Sequence, residues 1–274
     1  MEGLRMEIEV ERLFAAFGRL VGRADLSDLE FGDIFREMMR SLVHFDHIVV
    51  FAYKGDQPPR SLYTTFGPED RAVFVTLYQR GPYLLDPFYH NARARNGGLF
   101  RMRQLAPDRF FSSEYYRTFY IKTALAEEVG FFVPVEDEVT VVLSLMRREQ
   151  SGAFPSAEYG RLLKVEPLVS ILVRQYWGKL AHRFTTSASR TRRRRTNGAS
   201  ATNTIWKNLK LSAREAAIVE LVLQGHSSES IGLKLGITTG TVKVHRRNIY
   251  LKLGISSQTQ LLSIYLKSIT DERS

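Results

Sequence analysis

Residues 211–254 run from Leu211-Ser-Ala-Arg-Glu215 through Gly225, Leu235-Gly-Ile237 and Thr241-Val-Lys-Val-His245 to Lys252-Leu-Gly254. Ser212 and Glu215 have the Ser-x-x-Glu spacing of a capping box, so a helix is expected to start near residue 213. Ala217, Ile218, Leu221 and Val222 form its buried face, and Gly225 ends it. Ser227 or Ser228 can cap a second helix that buries Ile231 and Leu235. Gly236 supplies a turn, Ile237 plugs the core, and Thr238 or Thr239 caps a third helix. On a 3.6-residue wheel Thr238, Val242, His245, Ile249 and Leu253 share one face of that helix. Lys243, Arg246, Arg247 and Tyr250 share the opposite one, with Thr239 and Gly240 at its start. A helix pair joined by a glycine turn, the second with a cationic outer face, is a helix-turn-helix. Lysine and arginine at the front of such a helix can meet guanine edges or phosphates in the major groove.

The charge is placed to match. The chain has 274 residues and a formal net charge of +10. Residues 1–182 hold 23 basic and 24 acidic side chains, residues 183–204 six arginines and no acid, and residues 205–274 ten basic and five acidic. The whole positive excess therefore lies in the last third, the footprint of a nucleic-acid-binding end joined to a neutral domain. There is no cysteine, which excludes disulfides, thiolate metal sites and thiol catalysis. No apolar run approaches a membrane span, and the acidic N-terminus lacks the form of a signal peptide, so a cytoplasmic protein with no membrane partner is expected.

Upstream, Val10, Leu13, Phe14, Phe17, Leu20 and Val21 fall on one face of a helix over 7–22. A second helix is expected over about 27–42, with Asp25, Ser27 and Asp28 as candidate caps. Strands are expected at 46–53, 61–66, 129–135 and 138–147, with a short extended piece after Gly97-Gly98. Helices are expected from Gly67 to about Gln79, within 82–95, at 112–122 and from Ser156 to about Arg183, the last kinked or split at Pro167. This order gives an α+β class: an N-terminal α/β/α sandwich on an antiparallel sheet of about five strands, of the GAF or PAS kind, followed by an all-α domain. Residues 185–204 contain no aliphatic side chain larger than alanine and cannot bury a core. The expected division is a sensor at 1–182, an arginine-rich linker at 183–206 and the helix-turn-helix domain at 207–274. Arg192 to Arg195 fit either a phosphate-following arm or a solubilising hinge.

The motif at 211–254 closely resembles the LuxR/FixJ-type helix-turn-helix regulators of bacterial transcription. The resemblance carries Leu211-Ser-x-Arg-Glu215, Gly225, Ile231, Leu235-Gly-Ile237, Thr241-Val-Lys-x-His245, Asn248-Ile249 and Lys252-Leu-Gly254. It implies a four-helix domain whose last helix covers Ser257 to about Lys267, with Leu261, Leu262 and Tyr265 as its dimer contacts. It implies operator DNA as partner, a homodimer, Lys243, Val244 and Arg247 as base readers, and Thr239, Thr241, Arg246 and Lys252 as phosphate contacts. His245 faces inward as a structural group. Ser230-Ile231-Gly232 departs from the family's usual Glu-Ile-Ala, at a cost of roughly 1 kcal/mol of helix propensity.

The acidic set of a phosphate receiver is missing from the first strand. A looser resemblance, over about residues 60–175, is to the autoinducer-binding domain of quorum-sensing LuxR regulators. It rests on Leu85-Asp-Pro-Phe-Tyr-His-Asn-Ala-Arg-Ala-Arg95, Ser113-Glu-Tyr-Tyr-Arg-Thr-Phe-Tyr120 and Gly130-Phe-Phe-Val-Pro134. It implies that Asp86 accepts a ligand amide. The family's pocket Trp and Tyr fall near Val73 and Leu77 here, its later Trp near Phe100 or Arg101, and its small hydroxyl residue is Phe132. Lost donors and an added ring argue against a standard acyl-homoserine lactone. The candidate pocket is Tyr83, Asp86, Phe88, Phe100, Tyr115, Tyr116, Phe119 and Phe131, suited to a small apolar ligand with one amide or amine. The alternative is a ligand-independent regulator whose N-terminal domain serves protein interaction or dimerisation. His44-Phe-Asp-His47 straddles a helix–strand junction, where neighbouring side chains diverge, so no metal is expected. No cofactor site, nucleophile elbow or phosphate loop is present, and no catalysis is expected. Glu127, Glu128, Glu136 and Glu138 read as solvated turn and edge charges.

Overall fold

A computed structural model describes residues 9–23, 25–120, 124–184, 206 and 208–271. Most of Arg183–Trp206, with Arg192 to Arg195, lies outside them. Two helices open the chain, α1 (Val10–Val21) and α2 (Asp28–Arg40). Ser27 caps α2 in a full capping box with Glu30. Strands β1 (His47–Lys54) and β2 (Arg60–Thr64) follow. The expected helix after Gly67 is three pieces: α3 (Pro68–Arg71), a π-helical stretch Ala72–Leu77 and a 3-10 turn Tyr78–Arg80. Then come α4 (Pro87–Arg93), β3 (Gly98–Arg101), the short α5 (Met102–Leu105), α6 (Glu114–Phe119), β4 (Leu125–Pro134), β5 (Val139–Arg148) and α7 (Ser156–Trp177).

The five strands form one antiparallel sheet in the order β2-β1-β5-β4-β3. Strand alternation gives it two apolar faces. Ile48, Val50 and Ala52, Val129, Phe131 and Val133, and Val141, Leu143 and Leu145 meet α1, α2 and α7. Val49, Phe51, Tyr53, Phe132, Val142 and Met146 face the other way, beneath α4 and α6. Helix α7 runs through Pro167 without a break. Its buried Leu162, Val169, Leu172, Val173 and Trp177, with a Trp177 Nε1 hydrogen bond to Asp28 of 2.9 Å, offset the roughly 3 kcal/mol cost of an interior proline. The expected apolar face of α1 is divided: Leu20 is buried, whereas Val10, Phe14 and Val21 are 53, 65 and 47% exposed.

The C-terminal helices are α8 (Ala213–Gln224), α9 (Ser228–Leu235), α10 (Thr239–Leu253) and α11 (Gln258–Asp271). Each cap forms as expected. The Glu215 amide donates to Ser212 Oγ and the Ser212 amide to the Glu215 carboxylate, and the Ser227 and Thr238 hydroxyls accept from the amides three residues on. Gly225, Gly236 and Gly254 end their helices in the left-handed region. Gly232 has a reason: a Cβ there would stand 2.7 Å from the Ile237 carbonyl, so the missing side chain lets the turn close. The core is Trp206, Val219, Val222, Ile231, Val242, Ile249, Leu261, Leu262 and Tyr265. Trp206 stacks on Tyr265 at 5.6 Å and donates to Glu220 at 3.1 Å. Two expectations change here. Trp206, assigned to the linker, packs inside the helical domain. Leu261, Leu262 and Tyr265, expected at a dimer contact, are 1, 2 and 1% exposed within their own chain, because α11 turns its apolar face onto Trp206 and α8.

Candidate nucleic-acid interface and sensor cavity

Helix α10 divides as its wheel predicts. Val242 and Ile249 are buried and His245 is half-buried. Thr239, Thr241, Lys243, Val244 and Arg247 are exposed, Val244 at 59% despite being aliphatic. An exposed valine beside exposed lysine and arginine suits contact with thymine methyls. Arg246 is half-buried and donates to Ser228 Oγ at 3.3 Å. Lys252 is bound by both oxygens of Glu215, at 2.7 and 2.8 Å. That bridge fastens the end of α10 to the start of α8, and with Ser212 it holds the Glu215 carboxyl below the usual range. Lys252 is thus already held by a partner in its own chain.

On the outer face of the sheet, α4, α6 and the π-helical stretch surround a small cavity of about 40 Å³. Its lining is Val49, Phe51, Tyr53, Val73, Phe74, Tyr78, Asp86, Phe88, Tyr115, Tyr120, Glu128, Ser144 and Met146. Asp86 is 4% exposed. Its Oδ1 accepts the Phe88 amide at 2.8 Å, capping α4, and its Oδ2 accepts the Tyr78 hydroxyl at 2.8 Å. The Tyr53 and Tyr78 hydroxyls are 2.9 Å apart; since Tyr78 donates to Asp86, Tyr53 donates to Tyr78. Burial pushes the Asp86 carboxyl up to about 6, against hydrogen bonds from Phe88, Tyr78 and Tyr120. Glu128 stands across the cavity, 6% exposed, and its Oε2 has no hydrogen-bonding partner among the described residues. Burial, then the Asp86 charge, pushes Glu128 up to about 8, offset in part by a hydrogen bond with Ser144.

Of the expected pocket residues, Asp86, Phe88 and Tyr115 line this cavity. Tyr83 does not: it is fully buried and its hydroxyl reaches the Asp56 carbonyl at 3.4 Å. Phe100 packs edge-on against Phe132 outside the lining. Tyr116 lines an adjoining hollow with Arg103, Phe111 and Glu127, which shares Tyr120 and Glu128 with the cavity. Phe131 points to the opposite side of the sheet, since β4 sends 128, 130 and 132 to the cavity side, where Glu128 alone of the three lines the cavity, and 129, 131 and 133 to α1, α2 and α7. The Phe119 side chain lies outside the described residues. The same parity corrects Glu128, a wall of the cavity and not a solvated charge. Glu127 is likewise structural, buried against Arg101 at 2.7 Å. Tyr78 supplies a hydroxyl where the resemblance placed the exposed Leu77; the π and 3-10 turns, π-helix being a frequent feature of functional sites, rotate it inward.

The two units touch. The Arg109 amide donates to the Gly225 carbonyl at 2.9 Å, and the Ser227 amide donates to Asp108 Oδ1 at 3.0 Å. A Cβ on Gly225 would stand 2.6 Å from the Phe110 Cα, so only glycine allows this approach. Phe110 is fully buried among Tyr115, Tyr116 and Tyr120, at 6.0, 5.6 and 5.9 Å between centroids. Beside this contact Arg109, Ser112 and Ser113 face Thr239, Lys243 and Arg246 across a cleft.

A helix-turn-helix with a cationic reading helix, carried beside a sheet domain with a small cavity, defines a class of DNA-binding regulators. Residues 209–265 match the luxR family of bacterial regulatory proteins. The chain is 34% identical over 175 residues to the HTH-type transcriptional regulator assigned to the exeN 3′ region of Aeromonas salmonicida, covering 63% of this chain and 88% of that one. It is 44% identical over 55 residues to the HTH-type regulator YhjB of Escherichia coli K12, 20% of this chain and 28% of the relative. Among solved structures it is similar to the LBD domain of VqsR from Pseudomonas aeruginosa, with a TM-score of 0.51 and 26% identity over 60% of this chain and 94% of that one. The chain belongs to the luxR family and is a DNA-binding transcription regulator. No described helix is long and apolar enough to cross a membrane.

Proposed function

We propose that this regulator reads its operator with Lys243, Val244 and Arg247, and grips flanking phosphates with Thr239, Thr241 and Arg246. Lys252 acts through Glu215 to hold α10 in place. The regulator works as a binding protein, not an enzyme, with a sensor that ends near Phe184 and a reader that begins near Trp206. A small ligand in the sensor cavity controls the reader. The observation that carries this control is Phe110, which packs on two tyrosines near the cavity wall and meets Gly225 in the reader. Filling the cavity moves Tyr115 and Tyr120, and with them the seat of α8. The docked form is the silent one, since its cleft sets the sensor against the start of the reading helix. Asp108→Ala removes one docking hydrogen bond and is expected to raise operator affinity severalfold in a mobility-shift assay. Unchanged affinity in this variant, with and without a cavity ligand, would sink the control mechanism.

The regulator acts as a homodimer, as a two-fold operator requires. With Leu261, Leu262 and Tyr265 buried, the dimer surface is sought elsewhere. Val10, Phe14 and Val21 lie within about 40° on the α1 wheel, a narrow apolar stripe facing solvent. Phe14→Glu places a charge in its centre. The expected outcome is a monomer by light scattering where the parent chain is a dimer; a dimeric variant would remove α1 from the interface.

A further inference from the structure

The cavity is short of positive charge. Its lining brings together two carboxylates, Asp86 and Glu128, and contains no lysine, arginine or histidine. Asp86 is satisfied by Phe88 and Tyr78, yet Glu128 Oε2, buried on the facing strand, meets no donor in the described residues. Buried polar atoms are ordinarily hydrogen-bonded and buried charges paired, so the Glu128 acceptor lacks a partner among the described residues, and its carboxyl keeps a proton unless a cation enters. The other walls are mostly rings, among them Phe51, Tyr53, Phe74, Phe88, Tyr115 and Tyr120, with Val49, Val73, Ser144 and Met146 between them. Such rings present negative faces that attract a cation as well as an apolar body.

We propose that the cavity is a receptor site for a small organic cation, a primary amine with an apolar or aromatic body, whose ammonium group sits between Glu128 and Asp86. This rests on the reading of the N-terminal domain as a ligand sensor and names the chemical class of ligand. An ammonium brings three donors and one charge. One donor fills Glu128 Oε2, a second reaches Asp86, and the charge balances one ionised carboxylate while the pair keeps a single proton. A neutral amide or lactone has a single N–H and no charge, so it serves Asp86 and leaves Glu128 Oε2 bare. A hydroxyl likewise brings one donor. The second carboxylate is therefore the group that selects amines over neutral ligands of the same shape.

The test uses the full chain and a matched panel: hexylamine, octylamine and 2-phenylethylamine, each beside its alcohol and its N-acetyl derivative, with N-hexanoyl homoserine lactone added. Calorimetry at pH 7 reads the affinities. The expected result is at least one amine binding tenfold or more tightly than both neutral counterparts. Glu128→Gln, nearly the same size and uncharged, is expected to erase that preference while its far-ultraviolet circular dichroism stays that of the parent. Alcohols, acetamides or the lactone binding as well as the amines overturns the proposal and leaves the sensor reading standing. An amine preference that survives Glu128→Gln places the ammonium elsewhere and also overturns it. No binding by any member of the panel overturns both the proposal and the sensor reading.

Discussion

Replacing Lys243 and Arg247 together with alanine is expected to abolish sequence-specific operator binding while the fold stays intact. Both side chains are exposed on α10, and neither belongs to the core built on Val242 and Ile249. Alanine is the best helix former, so the substitutions leave α10 at least as stable as before. The loss falls on recognition. A well-made base contact is worth about 1–3 kcal/mol, so two removed together cost about 2–6 kcal/mol, from roughly 30-fold to more than 10,000-fold in affinity. Footprinting on an operator selected from random DNA reads the outcome. A protected footprint at parent concentrations would show that α10 is not the reading helix. Arg246→Ala, which also cuts the 3.3 Å bond to Ser228, is expected to weaken binding more evenly across sequences, as a phosphate contact does.

Glu128→Gln is expected to make the ligand-free protein more stable at pH 8 than its parent, by a few kcal/mol. The folded Glu128 carboxyl is raised by burial and by Asp86, to about 8 from an ordinary 4.5. The folded state thus holds a proton that the unfolded chain has released, and stability falls as pH rises from about 4.5 towards 8. Moving a carboxyl's titration by one pH unit between the unfolded and folded chain is worth about 1.36 kcal/mol, which sets the size of the effect. Asp86, raised to about 6, adds the same sign over a narrower and lower window. The cavity tyrosines Tyr53, Tyr78, Tyr115 and Tyr120 are raised well above 10 by burial and stay neutral throughout. Half-buried His90 and His226, each lowered to about 4 mainly by desolvation, act below about 6.5 and cancel in the comparison of variant with parent. Urea unfolding of both proteins at pH 6.5 and 8 isolates Glu128. A variant less stable than its parent at pH 8 contradicts a buried, unpaired carboxylate.

The reader was legible in the sequence because its signals are local. A capping serine with a glutamate three residues on, a glycine after the last helical turn and a 3.6-residue pattern are all written within a dozen positions. The sheet was legible as well, in class and in number of strands. The cavity was less so, and each miss has a physical cause. Phe131 and Phe132 are adjacent aromatics, and only the register of β4 on β5 tells which faces the cavity side of the sheet. The same register, reached across an irregularity between Leu125 and Glu127, turns Glu127 to Arg101 and Glu128 inward. Tyr78 was missed because the helix before it widens to a π turn, which rotates every later side chain around the axis. Pro167 predicts a kink or a split because helix propensity carries no knowledge of the core that holds α7. The approach of Phe110 to Gly225 joins residues 115 positions apart in the chain. Gly225 was read correctly as a helix end, but its second role, admitting the sensor loop, depends on a surface no local pattern describes.

The central claim is that docking of the 108–110 loop on the reader silences DNA binding, and locking that contact tests it most directly. The chain contains no cysteine, so a pair introduced by Asp108→Cys and Ser227→Cys forms a single defined bridge across the contact when oxidised. The expected result is operator binding at least tenfold weaker in the oxidised protein than in the same protein after reduction. Equal affinity in the bridged and reduced forms would contradict the account.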